Sequence, residues 1–458
     1  MYFQQFYLSC LSQASYVLAS GGVAAVVDPQ RDVDLYIEEA RANGFRIQYI
    51  IETSLRADFV SGRFELARRS GAQIYLSANA KTSFPFVPAR DGGILQFGQC
   101  RLEFLETPGH TPESICVLVT DLAIASKPFA VLTGGTLFIG DVGRPDLSDD
   151  ATPLQLAGLL YDSLHGKLMT LDDSVAVYPA YGAGSLCGRQ ISAERSSTIG
   201  KERSSNYALR PSARAEFVKL VTPELPERPE SPDQVAAVPV PRPLPGLNAQ
   251  ELLARQATGA VILDARPVQD FLSAHVPGSI PIGPGGQFAA AAVTAARIGP
   301  EVVLIVNDPE KLPRAQLRLA RAGIEHAAGY LAEGFTAWVR AGLPVKMVAQ
   351  VSAEDLYRRL PGEHGLQLVD VRRPVEWEQG HLPGSTLIPL NRLLTELDSL
   401  DRDRPVVVHC KSGDGGAIAA GILQRAGFEQ VMNLMGGFDA WRACRLPEEI
   451  SQPFSYNV

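Results

Sequence analysis

VILDARPVQDFLSAHVPGSIPI (residues 261–282) and QLVDVRRPVEWEQGHLPGSTLIPL (367–390) are two versions of one pattern. Each ends a short apolar run in Asp-x-Arg and continues to His-x-Pro-Gly-Ser, with His275 11 positions after Asp264 and His381 11 positions after Asp370. Further on, GFTAW (334–338) matches GFDAW (437–441). A repeat of about 105 residues is the length of a domain and exceeds solenoid units, so the second half of the chain is read as a domain duplication. VVLIV (302–306) and VVVH (406–409) read as buried β-branched strands, each followed by a helix-like stretch. Each copy is therefore expected to be a small α/β domain on a parallel sheet.

Upstream of the repeat, TPELPERPESPDQVAAVPVPRPLPG (222–246) holds prolines at 223, 226, 229, 232, 239, 241, 243 and 245. Such density forbids helix and strand and predicts a semi-rigid tether. Before it, VAAVVDP, IQYIIETS, QIYLS, LEFLETPGH, AVLTGGTLFIGD and VAVYPAYG read as strands ending in turn residues, and DLYIEEARANGF and SGRFELARRSG as helices between them. That order predicts a layered α/β sandwich. The expected divisions are a sandwich over 1–221, a linker over 222–246, repeat domains over 247–347 and 348–447, and a tail over 448–458.

At 458 residues the chain is too long for one ordinary core. With 46% apolar and 20% charged residues and no apolar run long enough to cross a bilayer, it reads as a globular protein without a membrane partner. The start, MYFQQFYLSCLSQASY, lacks an export signal's basic and apolar regions, so a cytoplasmic setting is expected. A net charge of −8 without a basic cluster argues against nucleic acid and for small molecules or proteins as partners. Cysteines at 10, 100, 116, 187, 410 and 444 show no paired spacing, which suits reduced thiols.

In the first half, MYFQQFY, VVDPQRDVDLYI, ADFVSG, LETPGHTPES, TLFIGDVGRPDL and VYPAYGAGSLCG resemble, in order, the strand endings of the metallo-β-lactamase fold, most closely its persulfide dioxygenase branch. The resemblance implies an αββα sandwich, a homodimer or larger assembly, and a metal held by an H-x-H-x-D-H turn, a histidine after Pro-Gly, an aspartate in T-G-D and a final histidine. Here the turn reads Ser54-Leu55-Arg56-Ala57-Asp58-Phe59, the T-G-D position is Gly135 and the last histidine is Tyr181; His110 and Asp58 remain. The branch's iron triad would fall on Ser54, His110 and Gly135, and one ligand does not hold a catalytic iron. Arg56 would carry a permanent positive charge into the pocket. The expectation is a sandwich without metal or other cofactor, in which His110 is a buried satisfied side chain and Asp141 bonds turn amides. An anionic thiol beside Arg56, Tyr181 and His110 is a weaker alternative. His165, in LYDSLHGKLMTL (160–171), is expected on a helix surface.

The duplicated segments resemble rhodanese domains. The C-terminal copy keeps Asp370, Arg372, Glu376, His381, Pro383, Gly384 and then HCKSGDGGAIAAGIL (409–423). A cysteine that follows a buried strand and precedes a glycine-rich helix start faces backbone N–H groups at the positive end of a helix dipole. That setting is expected to lower the thiol from its free pKa of about 8.5 and make Cys410 a nucleophile that carries sulfur as Cys–S–SH. The loop residues Lys411, Ser412, Gly413, Asp414 and Gly415 are the expected substrate-binding set. Asp414 and the absence of an arginine count against thiosulfate as donor and leave low-molecular-weight or protein persulfides, with a thiol as acceptor. Asp370, Arg372 and His381 are read as a structural ion pair and turn clasp, and the other cysteines as inert. In the central copy Asn307 stands where Cys410 does, and Pro309 removes an N–H from the loop, so that copy is expected to be inactive.

Overall fold

The computed structural model describes residues 1–8, 12–55, 60–148, 150–183, 185, 187–211, 213–223, 243–282, 301–321, 324, 327–360, 362 and 365–450. The chain divides into two compact units, residues 1–238 and 239–458. Most of the expected tether, including the prolines at 226, 229, 232, 239 and 241, lies outside the described residues, as do the 448–458 tail beyond 450 and Arg56, Ala57, Asp58 and Phe59.

The first unit is the expected sandwich. One sheet orders strands β1 (Tyr2–Leu8), β2 (Gln13–Ser20), β3 (Val23–Val27), β4 (Arg46–Ile51), β5 (Gln73–Ser77) and β6 (Val87–Ala89) in sequence. The other contains β7 (Ile94–Phe97), β8 (Cys100–Glu106), β9 (Ile115–Asp121), β10 (Ala130–Gly134), β13 (Ala176–Pro179) and β14 (Ser197–Thr198), in the order β14-β13-β10-β9-β8-β7; a short pair, β11 (Leu137–Phe138) and β12 (Asp141–Val142), lies between β10 and β13 in the chain. Alternation along the strands sends one set of side chains inward, so that Tyr16, Leu18, Val27, Leu102, Val117 and Leu132 share a core from both sheets. The opposite faces pack on helices: Val26 and Ile50 against Tyr36 and Leu66 on one side, Val131 and Val177 against Leu160 and Phe217 on the other. The helix Pro153–Gly166 begins with a capping box in which Thr152 and Gln155 bond each other's backbone N–H.

The second unit contains the duplication. Its sheets order β15 (Gly246–Leu247), β16 (Val261–Asp264), β17 (Ile280–Pro281), β18 (Val302–Ile305) and β19 (Gly329–Leu331) as β15-β19-β18-β16-β17, and β20 (Ala349–Val351), β21 (Gln367–Asp370), β22 (Thr386–Leu387), β23 (Val406–His409) and β24 (Val431–Leu434) as β20-β24-β23-β21-β22. Every pairing is parallel and the two orders are the same. Each Asp-x-Arg is a buried ion pair closed at 2.6 Å, Arg266 with Asp264 and Arg372 with Asp370. Each arginine also caps the carbonyl before the histidine, Ala274 or Gly380, and lies 4.0 Å from a phenylalanine ring of the GFxAW segment. The histidines stack on Phe271 and Trp377, and their backbones clasp Lys346 and Glu449.

The copies do not fold side by side as isolated modules. One apolar cluster runs through both, from Val261, Phe271 and Leu304 to Val408, Ile418 and Phe428. The helix Asp414–Arg425 presents Gly421 to Pro281 so closely that a Cβ there would sit 2.8 Å from the proline ring. Gln424 Oε1 accepts from His275 Nε2 at 2.9 Å, and Arg425 donates to the Gly278 carbonyl at 3.0 Å.

Candidate functional site

β23 delivers Cys410 to the start of the helix Asp414–Arg425. The loop between them hangs on the second GFxAW segment: Phe438 N–H donates to the Cys410 carbonyl at 2.8 Å and Asp439 N–H to the Lys411 carbonyl at 2.9 Å. Gly437 has φ +59° and leaves no space for a Cβ, which would lie 2.4 Å from the Cys410 oxygen. Gly413 turns the chain with φ +106° and brings its own N–H to 3.1 Å from Cys410 Sγ. The amides of Ser412, Gly415 and Gly416 are also directed at the sulfur and favour its anion. No side chain caps this helix, so its unpaired N–H groups converge on the thiol.

Cys410 is only 6% exposed, and burial pushes its thiol above the ordinary value while the four amides oppose that rise. The expected lowering is therefore corrected. The loop supplies the cradle, but removal from water outweighs it in the resting thiol.

Of the expected binding residues, Ser412, Gly413 and Asp414 line a cleft of about 170 Å³ over the loop. Gly415 serves through its amide. Lys411 is exposed and is not among the residues lining the cleft. Sequence reasoning missed Gly416, whose amide belongs to the cradle, and also Asn433, Gln350 and Gln269, which reach the cleft from β24, β20 and the central copy. Comparing the copies would have exposed Asn433, because Tyr330 takes its place in the other one.

Directly below the cysteine, His409 is fully buried, 3.6 Å from Asp370, and burial pushes it down to about 4. In the central copy the strand register puts Val306, and not the expected Asn307, in the place of Cys410: Ile305 pairs with Asp264 as His409 does with Asp370, and the Val306 carbonyl faces Gly334 as the Cys410 carbonyl faces Gly437. Asn307 follows it and accepts Phe335 N–H at 3.3 Å through its side chain. Asp308 caps a short 3-10 turn, Pro309–Lys311, before the next helix. The remaining described cysteines are buried or idle. Burial pushes Cys100 up to about 12 and Cys116 up to about 11, Cys187 is buried, and Cys444 is raised by desolvation and by its hydrogen bond to Glu354. Cys10 lies outside the described residues.

Among the described residues, those at the sandwich's family metal position do not fit a metal. His110 is 2% exposed, its Nδ1 is 3.2 Å from the Arg144 carbonyl, and Phe138 and Tyr181 pack edge-on against it. Its ring fills the space of a side chain at Gly135, where a Cβ would lie 2.1 Å from the imidazole. Among the described residues no group of three His, Cys, Asp or Glu side chains could hold a metal ion. Asp141 bonds the amides of Val142, Arg189 and Gln190 and the Tyr207 hydroxyl, the turn role expected of it. His165 is partly buried against Tyr161, 4.2 Å between centroids, and is not the free surface group expected.

A β-sandwich flanked by helices, joined to a tandem of five-stranded parallel sheets of which one opens on an amide-ringed cysteine, defines a two-part α/β protein of metallo-β-lactamase-like and rhodanese-like folds. The rhodanese-like domain family matches residues 248–341 and 352–444. A sulfurtransferase of Allochromatium vinosum is 35% identical over 101 residues, 22% of this chain and 94% of its own. The mitochondrial persulfide dioxygenase of Bos taurus is 31% identical over 206 residues, 43% of this chain and 70% of its own. A metallo-β-lactamase structure from Staphylococcus aureus subsp. aureus COL is 30% identical with a TM-score of 0.60, covering 72% of this chain and 98% of that one. The chain belongs to the family that fuses a persulfide dioxygenase-like domain to rhodanese-like domains. Among the described residues no helix is long and apolar enough to cross a membrane.

Proposed function

We propose that the chain is a rhodanese-type sulfurtransferase whose chemistry is confined to Cys410. The observation that carries this reading is the convergence of four backbone amides on a buried sulfur at a helix start. Such a cradle stabilises a thiolate or persulfide anion as it forms, without a separate base. Cys410 takes a sulfane sulfur from a persulfide donor, and an acceptor thiol removes it. The loop residues Ser412, Gly413, Asp414 and Gly415 bind the incoming sulfur compound, with Lys411 at the exposed rim.

The sandwich serves folding or assembly and performs no metal chemistry in this reading, supported by the His110 ring in the space of the missing carboxylate. The central copy is likewise inactive in this reading, supported by Val306, which carries no thiol, at the register position of Cys410. The domain divisions, a homodimer or larger assembly and a cytoplasmic setting belong to the same proposal; the free cysteines at 100, 116, 187, 410 and 444 support a reducing compartment. The test is mass spectrometry of Cys410 after exposure to polysulfide, with transfer to cyanide or thiol assayed beside it. Cys410→Ser abolishes both; sulfur transfer that survives this substitution refutes the assignment.

A further inference from the structure

The helix that starts at the Cys410 cradle is buried on every side: all its residues from Gly415 to Leu423 are buried. A helix packed on a single sheet keeps a polar outer face, so this one has a second wall. Its inner face lies on β23 and β24 of its own copy, and its outer face on β17 and the helix Val268–Ser273 of the central copy. Gly421 permits that approach. A Cβ there would sit 2.8 Å from the Pro281 ring, 3.2 Å from the Ser279 carbonyl and 3.3 Å from Phe271. In the last turn Gln424 spans the seam, its Oε1 accepting from His275 Nε2 and its Nε2 donating to the Met347 carbonyl, both at 2.9 Å. Beside it Arg425 donates to the Gly278 carbonyl at 3.0 Å.

His275, Gly278 and Ser279 belong to the His-x-Pro-Gly-Ser turn that both copies keep. In the C-terminal copy Gly384 has open space where a Cβ would go, and His381 Nε2 lies 3.7 Å from Glu449 of the same copy. The central copy, with Val306 in the cysteine's place, turns this motif to its neighbour's helix instead. Helix geometry carries the contact to the sulfur. Gly421 is five residues from Gly416, about 7.5 Å along the axis. A close-packed interior transmits displacement, so a shift imposed at Gly421 reaches the amides of Gly415 and Gly416 that are directed at Cys410. Such donors stabilise a forming anion only while they are held in place beforehand.

We infer that the central copy is a positioning element of the sulfur site: Pro281, His275 and Gly278 fix the helix Asp414–Arg425, and through it the aim of the amides that favour the Cys410 anion. This rests on the sulfurtransferase reading and gives the copy without a thiol a part in that reaction. Pro281 and His275 act through the helix, as positioning residues. A helix resting on its own sheet alone can tilt about that contact, and the second wall removes the freedom. The depth that raises the thiol and the alignment of the amides that oppose the rise thus come from the same seam.

The test uses the full chain and two seam variants. Gly421→Ala sets a methyl against Pro281, and Gln424→Ala/Arg425→Ala removes the bonds to His275 and Gly278. Alanine's helix propensity offsets part of the overpacking, so Gly421→Ala is expected to stay folded. Two readouts are taken beside a urea titration: alkylation of Cys410 by iodoacetamide against pH, resolved by peptide mass spectrometry, and single-turnover loading from inorganic polysulfide. Both variants are expected to move the alkylation profile to higher pH and to slow loading roughly threefold to tenfold, since amides that recede no longer oppose the effect of burial. Adding Pro281→Ala to Gly421→Ala removes the ring atom the methyl meets and is expected to restore most of the rate. Leu252→Ala, in a separate core cluster of the central copy, lowers stability and is expected to leave the profile where it is. A profile unmoved in both seam variants, moved as far by Leu252→Ala, or not recovered with Pro281→Ala overturns the positioning role while leaving Cys410 loading intact. Failure of the wild-type chain to load overturns the sulfurtransferase reading and this inference with it.

Discussion

Gly416→Ala tests the cradle at its least obvious member. A Cβ on residue 416 would sit 2.2 Å from Asn433 Oδ1, against ordinary contacts of 3.4 Å or more. Something must therefore move by about 1 Å, a displacement core packing resists. Asn433 is buried, so the first helical turn recedes and withdraws the Gly416 amide from Cys410. Deleting a preorganised donor of this kind costs about 10²–10³ in rate, so a displaced one is expected to cost roughly tenfold to a hundredfold. Stability falls less, because overpacking of about 1–3 kcal/mol is offset by about 1 kcal/mol of helix propensity gained from glycine to alanine. The assay is single-turnover loading of Cys410 by polysulfide, followed by mass spectrometry, beside a denaturant titration. Asn433→Ser makes room for the new methyl, and the double variant is expected to recover most of the lost rate. A single variant that loads at the wild-type rate, or a double variant with no recovery, refutes the packing argument.

Other consequences are equally direct. Because the Cys410 thiol is pushed upward, the thiolate is scarce at neutral pH, and loading by polysulfide should rise about tenfold per pH unit through the neutral range; a rate flat from pH 6 to 8 contradicts this. His409 is pushed from 6.5 down to about 4, so between those values the unfolded chain binds a proton that the folded one refuses. Stability is then expected to fall by about 3 kcal/mol as pH drops through that window, and His409→Leu to remove this slope in pH-dependent urea titrations. Asp370→Ala leaves Arg372 buried without its partner and should cost about 3–5 kcal/mol in the same titrations. Restoring family ligands with Ser54→His/Gly135→Asp is expected to lower the melting temperature and bind no stoichiometric metal, since the new carboxylate collides with His110; one iron or zinc per chain by elemental analysis contradicts the filled-pocket account.

Much of this protein is written in local sequence. Paired spacings from Asp264 to His275 and Asp370 to His381 announced the duplication, and both sheets repeat one strand order because the same apolar runs and turns recur. The sandwich followed from strand endings, and Cys410 from a strand followed by GDGG and a helix. These signals survive in a bare sequence because backbone conformation and amide direction are set by neighbouring residues.

Tertiary contact decided the rest. The cysteine pattern pointed to a lowered pKa, but the depth at which distant strands and helices bury Cys410 raises it. Gly135 gave notice of a missing ligand, and the fold turned His110 into the space left behind. The two copies read as separate domains, yet Gly421 against Pro281 and a shared apolar cluster bind them into one unit that lends Gln269 to the cleft. Desolvation, close approach and an unpaired acceptor such as Asn433 Oδ1 depend on atoms remote in the chain, and only folding brings those together.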